Sequence, residues 1–276
     1  MMINLPTASL LAVGVMCTAV LLWAGWNQGS SNAKPIIVSC VGDSITARGC
    51  ASTPNRTYVA QLQQILGKNK YSVTNYGVSG ETMLKDGYCG GNSGDCSGNC
   101  SYWGGPKFHP ALDSNPDIVT IMLGTNDAKG CNWYGPPNGS PSGLGVGYRS
   151  AYLEMISLFQ ALPSKPKVYL MIPPPLVNPP TRPNKPPPFN MKKHVINGLF
   201  PGMVTAIALE SGAEGVIDIW SALGGEAGYE DPDMTCDGCH PKDKAMTIIA
   251  KTMAEAIAPK DEKKWDDVEE DWMAQE

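Results

Sequence analysis

Five short apolar runs recur along the chain, and amphipathic stretches separate them. Residues 36–42 are apolar or small at nearly every position and rich in β-branched side chains, the pattern of a strand buried on both faces. Residues 57–66 place Tyr58, Val59, Leu62, Ile65 and Leu66 at helical spacing. Residues 71–76 alternate as a strand does, and residues 117–123 form another continuous apolar run. An amphipathic helix is expected over 148–162, a strand over 167–172, and a helix over 191–210 that stops at Gly212. A fifth strand over 215–220 and a last helix over 241–258 complete the series. Strands alternating with helices predict an α/β fold, a parallel sheet covered by helices on both faces. Right-handed crossovers then leave few topologies. No internal repeat is present.

Three stretches interrupt the pattern. Residues 86–105 are a Gly/Cys/Asn/Ser loop without periodicity, read as a stapled surface insertion. Residues 130–147 form a Pro/Gly-rich loop. Residues 173–188 hold nine prolines, which excludes helix and inner strand there.

The first 33 residues differ in kind. Residues 10–26 are apolar or small throughout and carry no charge, and no Lys or Arg precedes them. A signal peptide cleaved after Ala33, at the small-x-small site Ser31-Asn32-Ala33, is the favoured reading. The alternative is an anchor over residues 8–26, since a membrane span takes about 20 apolar residues. Secretion, or the secretory-pathway lumen, is therefore expected. The cysteines agree. Cys17 lies in the leader, and Cys40, Cys50, Cys89, Cys96, Cys100, Cys131, Cys236 and Cys239 lie beyond it. An even number in an exported domain implies disulfides, with Cys40 inside the first strand as a buried free thiol. Sequons begin at Asn55, Asn99 and Asn138. Residues 261–276 carry eight Asp/Glu and two Lys, a net of −6, which leaves the other 260 residues at +1 within a total of −5. They read as a solvated acidic extension, although Trp265, Val268 and Trp272 fall at helical spacing. No basic stretch suggests a nucleic-acid partner.

Polar groups collect where the strands end, which is where open α/β sheets bind ligands. Ser44 follows the first strand by two residues. Gly80 follows the second, and Asn126 the third. Of three histidines, His109 and His194 sit in surface contexts, whereas His240 follows Asp237 by three residues and opens the last helix. Acyl transfer needs this inventory. A serine hydroxyl needs an imidazole base, the imidazole needs a carboxylate on its other nitrogen, and the tetrahedral intermediate needs donors aimed at its oxyanion. Ser44, His240 and Asp237 supply the first three. The Ser44 N–H, the Gly80 N–H and the Asn126 amide supply the donors.

Four blocks carry a family likeness: Gly42-Asp43-Ser44-Ile45, Asn75-Tyr76-Gly77-Val78-Ser79-Gly80, Gly124-Thr125-Asn126-Asp127 and Asp237-Gly238-Cys239-His240-Pro241. In that order they resemble the blocks of the SGNH (GDSL) hydrolases, most closely the small lysophospholipase-like and carbohydrate acetylesterase branch. The resemblance spans residues 35–258. It implies a flavodoxin-like three-layer α/β/α fold with a five-stranded parallel sheet, and a hydrolase domain over 34–259 between the leader and an acidic tail over 260–276. It also implies Ser44 as nucleophile, His240 as base and Asp237 as its orienting acid. Ser44, Gly80 and Asn126 would form the oxyanion hole, with Asp43 and Asp127 in support. No metal or cofactor is called for.

Other readings of the last block are weaker. Cys236-Asp237-Gly238-Cys239-His240 has the c-type haem attachment spacing, but haem would leave the other three blocks without a purpose. A zinc site has too few histidines nearby. A catalytically inactive binding module would not need the full Ser, Asn, Asp and His set. Cys236 and Cys239 are expected to pair with each other, or with Cys50 or Cys131, and so to stiffen this loop. The substrate is expected to be a small-molecule or glycan ester. Tyr76, Tyr102, Trp103, Trp133 and Tyr134 on loops of the active face suggest stacking on sugar, hence an O-acetylated carbohydrate. A short-chain acyl ester, lysophospholipid or thioester is the alternative, and aromatics in such loops also serve simply to anchor them.

Overall fold

The computed structural model describes Met1 and residues 34–90, 96–134 and 146–258. The leader, the sequon at Asn138 and the acidic tail lie outside the described residues. The fold is that of the unit beginning at Lys34.

Five strands form one sheet: β1 (Ile36–Gly42), β2 (Tyr71–Gly77), β3 (Ile118–Met122), β4 (Lys167–Ile172) and β5 (Gly215–Asp218). All pairings are parallel, in the order β2-β1-β3-β4-β5. That is the doubly wound, flavodoxin-like order. The helices are α1 (Ser44–Ala47), α2 (Tyr58–Leu66), α3 (Phe108–Asp113), α4 (Gly130–Tyr134), α5 (Val146–Gln160), α6 (Phe200–Ser211), α7 (Ile219–Ala222), α8 (Gly225–Tyr229) and α9 (Asp243–Ile257). Among the described residues no helix is long and apolar enough to cross a membrane.

The sheet divides the apolar residues into two cores, because successive strand side chains point to opposite faces. Val119 and Ile121 of β3 join Val168 and Leu170 of β4 under α3, α5 and α6. Ile118 and Met122 of β3 join Val38, Cys40, Tyr169 and Met171 under α2 and α9. The helices answer with one apolar face each, such as Tyr58, Val59, Leu62 and Leu66 on α2 and Met246, Ile249, Ala250 and Met253 on α9. Each large side chain so buried contributes about 1.5–3 kcal/mol.

The elements differ from expectation where local chemistry overrides periodicity. The fifth strand ends at Asp218, because the Asp218 side chain accepts the Ser221 N–H (2.9 Å) and caps α7. The helix expected over 191–210 is two pieces, a π-helical turn His194–Leu199 and then α6. Pro201 has no N–H to return to Asn197, so the regular ladder cannot run through this point. Gly212, in the left-handed region at φ 64°, ends α6 as expected. The last helix begins at Asp243 rather than Pro241. Five short helices, α1, α3, α4, α7 and α8, were not expected. At four to six residues each they are too short to show a period, and α4, with Asn132 and Trp133 buried, falls inside the stretch read as loop.

Three disulfides join Cys50 to Cys236, Cys89 to Cys100 and Cys96 to Cys131. Cys89–Cys100 staples the 86–105 insertion to itself, and Cys96–Cys131 ties it to α4. Cys40 is a buried free thiol, as expected. Cys239 is also free and buried, so of the pairings open to Cys236 the one formed is with Cys50.

Gly77 shows how tightly the edge of the sheet is built. A Cβ there would lie 2.3 Å from the Ala47 backbone nitrogen and 2.7 Å from the Thr46 carbonyl carbon, so α1 would have to move. Gly77→Ala is expected to destabilise the fold by about 3 kcal/mol, the upper end for overpacking. A thermal melt checks this at about 2–4 °C per kcal/mol, and an unchanged melting temperature would refute it.

Candidate active site

Register places the candidate groups together. Gly42 of β1 lies opposite Gly77 of β2 and Met122 of β3, so three neighbouring strands end level. Ser44, Gly80 and Asn126 follow those ends by two, three and four residues.

Ser44 is held at the first turn of α1 by its neighbours. Asp43 caps the helix, its Oδ1 accepting the Ile45 N–H at 2.9 Å. Asn75 fixes the far end. Its amide donates to Thr46 O (2.7 Å) and Ala47 O (3.3 Å), and its Oδ1 accepts the Gly77 N–H (2.9 Å). The Ser44 hydroxyl lies 2.9 Å from His240 Nε2. His240 Nδ1 lies 2.7 Å from Asp237 Oδ2. The other Asp237 oxygen accepts the N–H groups of Cys239 (2.9 Å) and His240 (2.8 Å). With Nδ1 as donor to Asp237, Nε2 carries the lone pair that faces the serine.

The loop from 235 to 241 is a closed structure of its own. Thr235 bridges to Pro241, and its hydroxyl donates to His240 O (2.9 Å) and accepts the Gly238 N–H (3.0 Å). Gly238, at φ 91°, lets the proline-rich segment approach, and the Val177 N–H donates to Gly238 O (2.9 Å). A Cβ at Gly238 would lie 2.2 Å from Val177 O. The Phe189 and His240 rings meet in a T-shaped pair at 6.0 Å between centroids.

Asn126 stands between the serine turn and the Gly80 loop. Its amide donates to Glu81 O at 3.0 Å and is 3.5 Å from Asp43 Oδ2. Asp127 accepts the N–H groups of Met83 (2.9 Å) and Leu84 (2.8 Å). The end of β3 thus grips the segment that carries Gly80, whose φ is 88°. Among the described residues neither the Ser44 N–H nor the Gly80 N–H has an acceptor.

Burial sorts the acids. It pushes Asp43 up to about 6, against the Ile45 N–H, the charges of His240 and Lys129, and Thr125. It pushes Asp127 up to about 7, against the Met83 and Leu84 N–H groups. Burial opposes ionisation of Asp237 too, but the bond and charge of His240 and two backbone donors outweigh it, and its pKa is lowered. For His240 burial opposes the charge, and the bond to Asp237 with the charges of Asp237 and Asp43 outweighs it, so its pKa is raised. Lys129 is lowered by burial. It donates to Cys89 O (3.2 Å) and lies within electrostatic reach of Asp43 and Asp127.

Sequence reading missed Lys129, Thr235 and the Glu81 carbonyl, which have no motif of their own. Asn75, inside the second block, was the signal for the clamp on α1. The aromatic loop residues need correcting. Tyr102 and Trp133 are 0 % and 2 % exposed and cannot stack on a ligand. Tyr102 donates its hydroxyl to Tyr76 O (2.7 Å), and Trp103 its ring N–H to Met83 O (2.8 Å). They anchor loops. Only Tyr134 is exposed, with His194 at 2.7 Å from its hydroxyl. His109 is exposed beside Phe108, and neither it nor His194 joins the site. Cys236 is committed to Cys50 and Cys239 is buried, so thioether attachment of haem at this loop has no free thiol pair. Among the described residues no group of three His, Cys, Asp or Glu could hold a metal.

The model of the GDSL-like Lipase/Acylhydrolase family matches residues 40–248. An acetylxylan esterase of Xylanibacter ruminicola is 31% identical over 241 residues, covering 80% of this chain and 43% of that protein, so the chain spans less than half of its relative. Among solved structures, a carbohydrate acetylesterase from Sinorhizobium meliloti is similar at 21% identity and a TM-score of 0.55, covering 80% of this chain and 98% of that one. A catalytic mutant of an acetylxylan esterase from Geobacillus stearothermophilus is similar at 19% and 0.54, covering 81% and 94%. At these identities the two structures speak to the fold.

Titration of the His240 ring by NMR is expected to give a pKa above the ordinary 6.5. Folding raises this pKa, so the ring's contribution to stability is complete below its unfolded value and is lost as pH rises through the folded one. In Asp237→Asn the countercharge is gone and the value should fall. An equal value in both proteins would show that Asp237 does not govern the imidazole.

Proposed function

The chain belongs to the GDSL-like lipase/acylhydrolase family, a family of ester-bond hydrolases, and from that premise we propose that it is a serine esterase that removes O-acetyl groups from a carbohydrate. The observation that carries the reading is the unbroken hydrogen-bond chain from the Ser44 hydroxyl through His240 to Asp237.

In this reading His240 Nε2 takes the Ser44 proton as Oγ attacks the acetyl carbonyl carbon. Asp237 holds the ring in the productive tautomer and stabilises the imidazolium that forms. The carbonyl oxygen becomes an oxyanion and accepts from the Ser44 and Gly80 N–H groups and from Asn126. One Asn126 hydrogen is committed to Glu81. The other, held by Asp43 only at 3.5 Å, is the one offered to the oxyanion. Collapse of the intermediate breaks the bond to the sugar oxygen, which takes the proton from His240. Water then attacks the acetyl-Ser44 ester with His240 again as base, and acetate leaves. Every step uses side chains and backbone donors of this chain. Support for acetyl and carbohydrate comes from the relative at 31% identity, an acetylxylan esterase.

Ser44→Ala is expected to abolish hydrolysis of acetylated xylooligosaccharides, and a fluorophosphonate should label Ser44 and no other serine. If the wild type prefers longer acyl chains, lysophospholipids or thioesters to acetylated sugar, the substrate assignment is wrong while the serine assignment stands. Asn126→Ala is expected to lower kcat by about 10²–10³ with KM little changed, because its donor strengthens only as charge develops. A normal kcat with a lowered melting temperature would reduce Asn126 to a clamp on Glu81.

A further inference from the structure

Ser44 and His240 meet across 196 residues of sequence. The sheet fixes Ser44, because α1 grows directly out of β1. It does not fix residues 236–240, which belong to no strand or helix. Hydrogen bonds hold that loop on three sides. The Val177 N–H reaches Gly238 O (2.9 Å), the Tyr229 hydroxyl reaches Cys239 O (3.0 Å), and the Lys242 N–H returns to Met234 O (2.9 Å). None of the three leads to the serine side. That link is made by the segment after Ser44: the Ser52 N–H donates to Asp243 at the start of α9 (2.8 Å), and Cys50, six residues after Ser44, makes two contacts nearer the site. Its N–H donates to Pro241 O (2.9 Å), and its sulfur is bonded to Cys236, the residue directly before Asp237.

We propose that the Cys50–Cys236 disulfide is a positioning element of the active site, locking Asp237 and His240 in register with Ser44, so that turnover depends on its being closed. Among the described residues it is the only covalent bond between the two halves of the hydrogen-bonded trio. The other two disulfides lie in and around the 86–105 insertion and touch neither half. With Cys50–Cys236 open, the Cys50 N–H to Pro241 O bond and the Ser52–Asp243 bonds still hold the far end of the loop near α1, but nothing covalent fixes the end that carries Asp237. A displacement of about 1 Å at reacting groups can cost about 10²-fold in rate. Cys50 and Cys236 are both half-buried, within reach of a small dithiol. One dithiol sulfur attacks the disulfide, the second closes on the first, and two cysteine thiols are released as the reagent becomes a cyclic disulfide.

The kinetic part of this inference rests on the esterase reading, and the structural part does not. The charges acting on His240 are Asp237 from its own loop and Asp43 from the β1–α1 junction, with the Ser44 hydroxyl and the Phe189 ring completing its surroundings. Moving the loop away from α1 keeps the Asp237 bond but takes the ring from the Asp43 charge that also raises its pKa. The His240 pKa should then fall toward its ordinary value, which NMR reads without any substrate.

The test compares Cys50→Ala/Cys236→Ala with Cys89→Ala/Cys100→Ala in the full chain. The first pair is expected to lower kcat for an acetyl ester by about 10–100-fold, with KM little changed, and to lower the His240 pKa. The second pair should leave both untouched, whatever it does to the melting temperature. If the first pair does not fold, the native enzyme is reduced with dithiothreitol where its near-ultraviolet circular dichroism is constant. Alkylation and mass spectrometry then identify the opened bond, and reoxidation should restore kcat and the pKa together. A kcat within about threefold of wild type with an unmoved His240 titration overturns the proposal, as does an equal loss in the control pair. A wild type that hydrolyses no ester overturns the esterase reading alone, because the titration still decides this one.

Discussion

The structure depends on the parallel register of β1 between β2 and β3. Because Gly42, Gly77 and Met122 end level, the three chain segments that leave the sheet there emerge side by side. Backbone hydrogen bonds along three strands set that level, and apolar cores on both faces hold the strands to it. The site inherits its precision from the sheet. Two of the three level residues are glycines, and at Gly77 the missing Cβ is what lets α1 sit directly on the strand end.

Around this edge the loops hold one another. Asn75 clamps α1, Asn126 and Asp127 clamp the Gly80 segment, and Thr235 closes the loop of Asp237 and His240. These are side-chain bonds to backbone groups at or near the buried strand ends, and leaving a buried backbone group unpaired costs about 1–3 kcal/mol. The three acids differ by surroundings rather than by type. Asp43 and Asp127 are fully buried and pushed up to about 6 and about 7, whereas Asp237 faces an imidazole and two N–H donors and is lowered. The carboxylate that can best stay charged is thus the one that faces His240.

Much of the layout was legible in the chain. Strands buried on both faces show near-continuous apolar runs and the edge strand β2 alternates, so all five strands could be located. The four short blocks were legible because each combines a strand end with a residue type that chemistry requires. Where local chemistry competes with periodicity, reading by pattern failed. Asp218 as a helix cap shortened β5, and Pro201 split a helix whose apolar spacing runs straight through it. The loop aromatics misled for a related reason. Composition reports that a tyrosine or tryptophan is present, but whether its face is open or packed depends on residues distant in sequence, and Tyr102 and Trp133 are packed.

Fold class, the order of elements and the residues available for acyl transfer could be read from the chain, because periodicity and turn chemistry act over a few neighbouring residues. Which of those residues touch was settled by long-range packing. That Ser44 reaches His240, that Asn126 bonds Glu81, and that Cys236 chose Cys50 over Cys239 or Cys131 are distances of a few ångströms between positions far apart in the chain. Such distances follow from strand register and core packing, which no local pattern encodes.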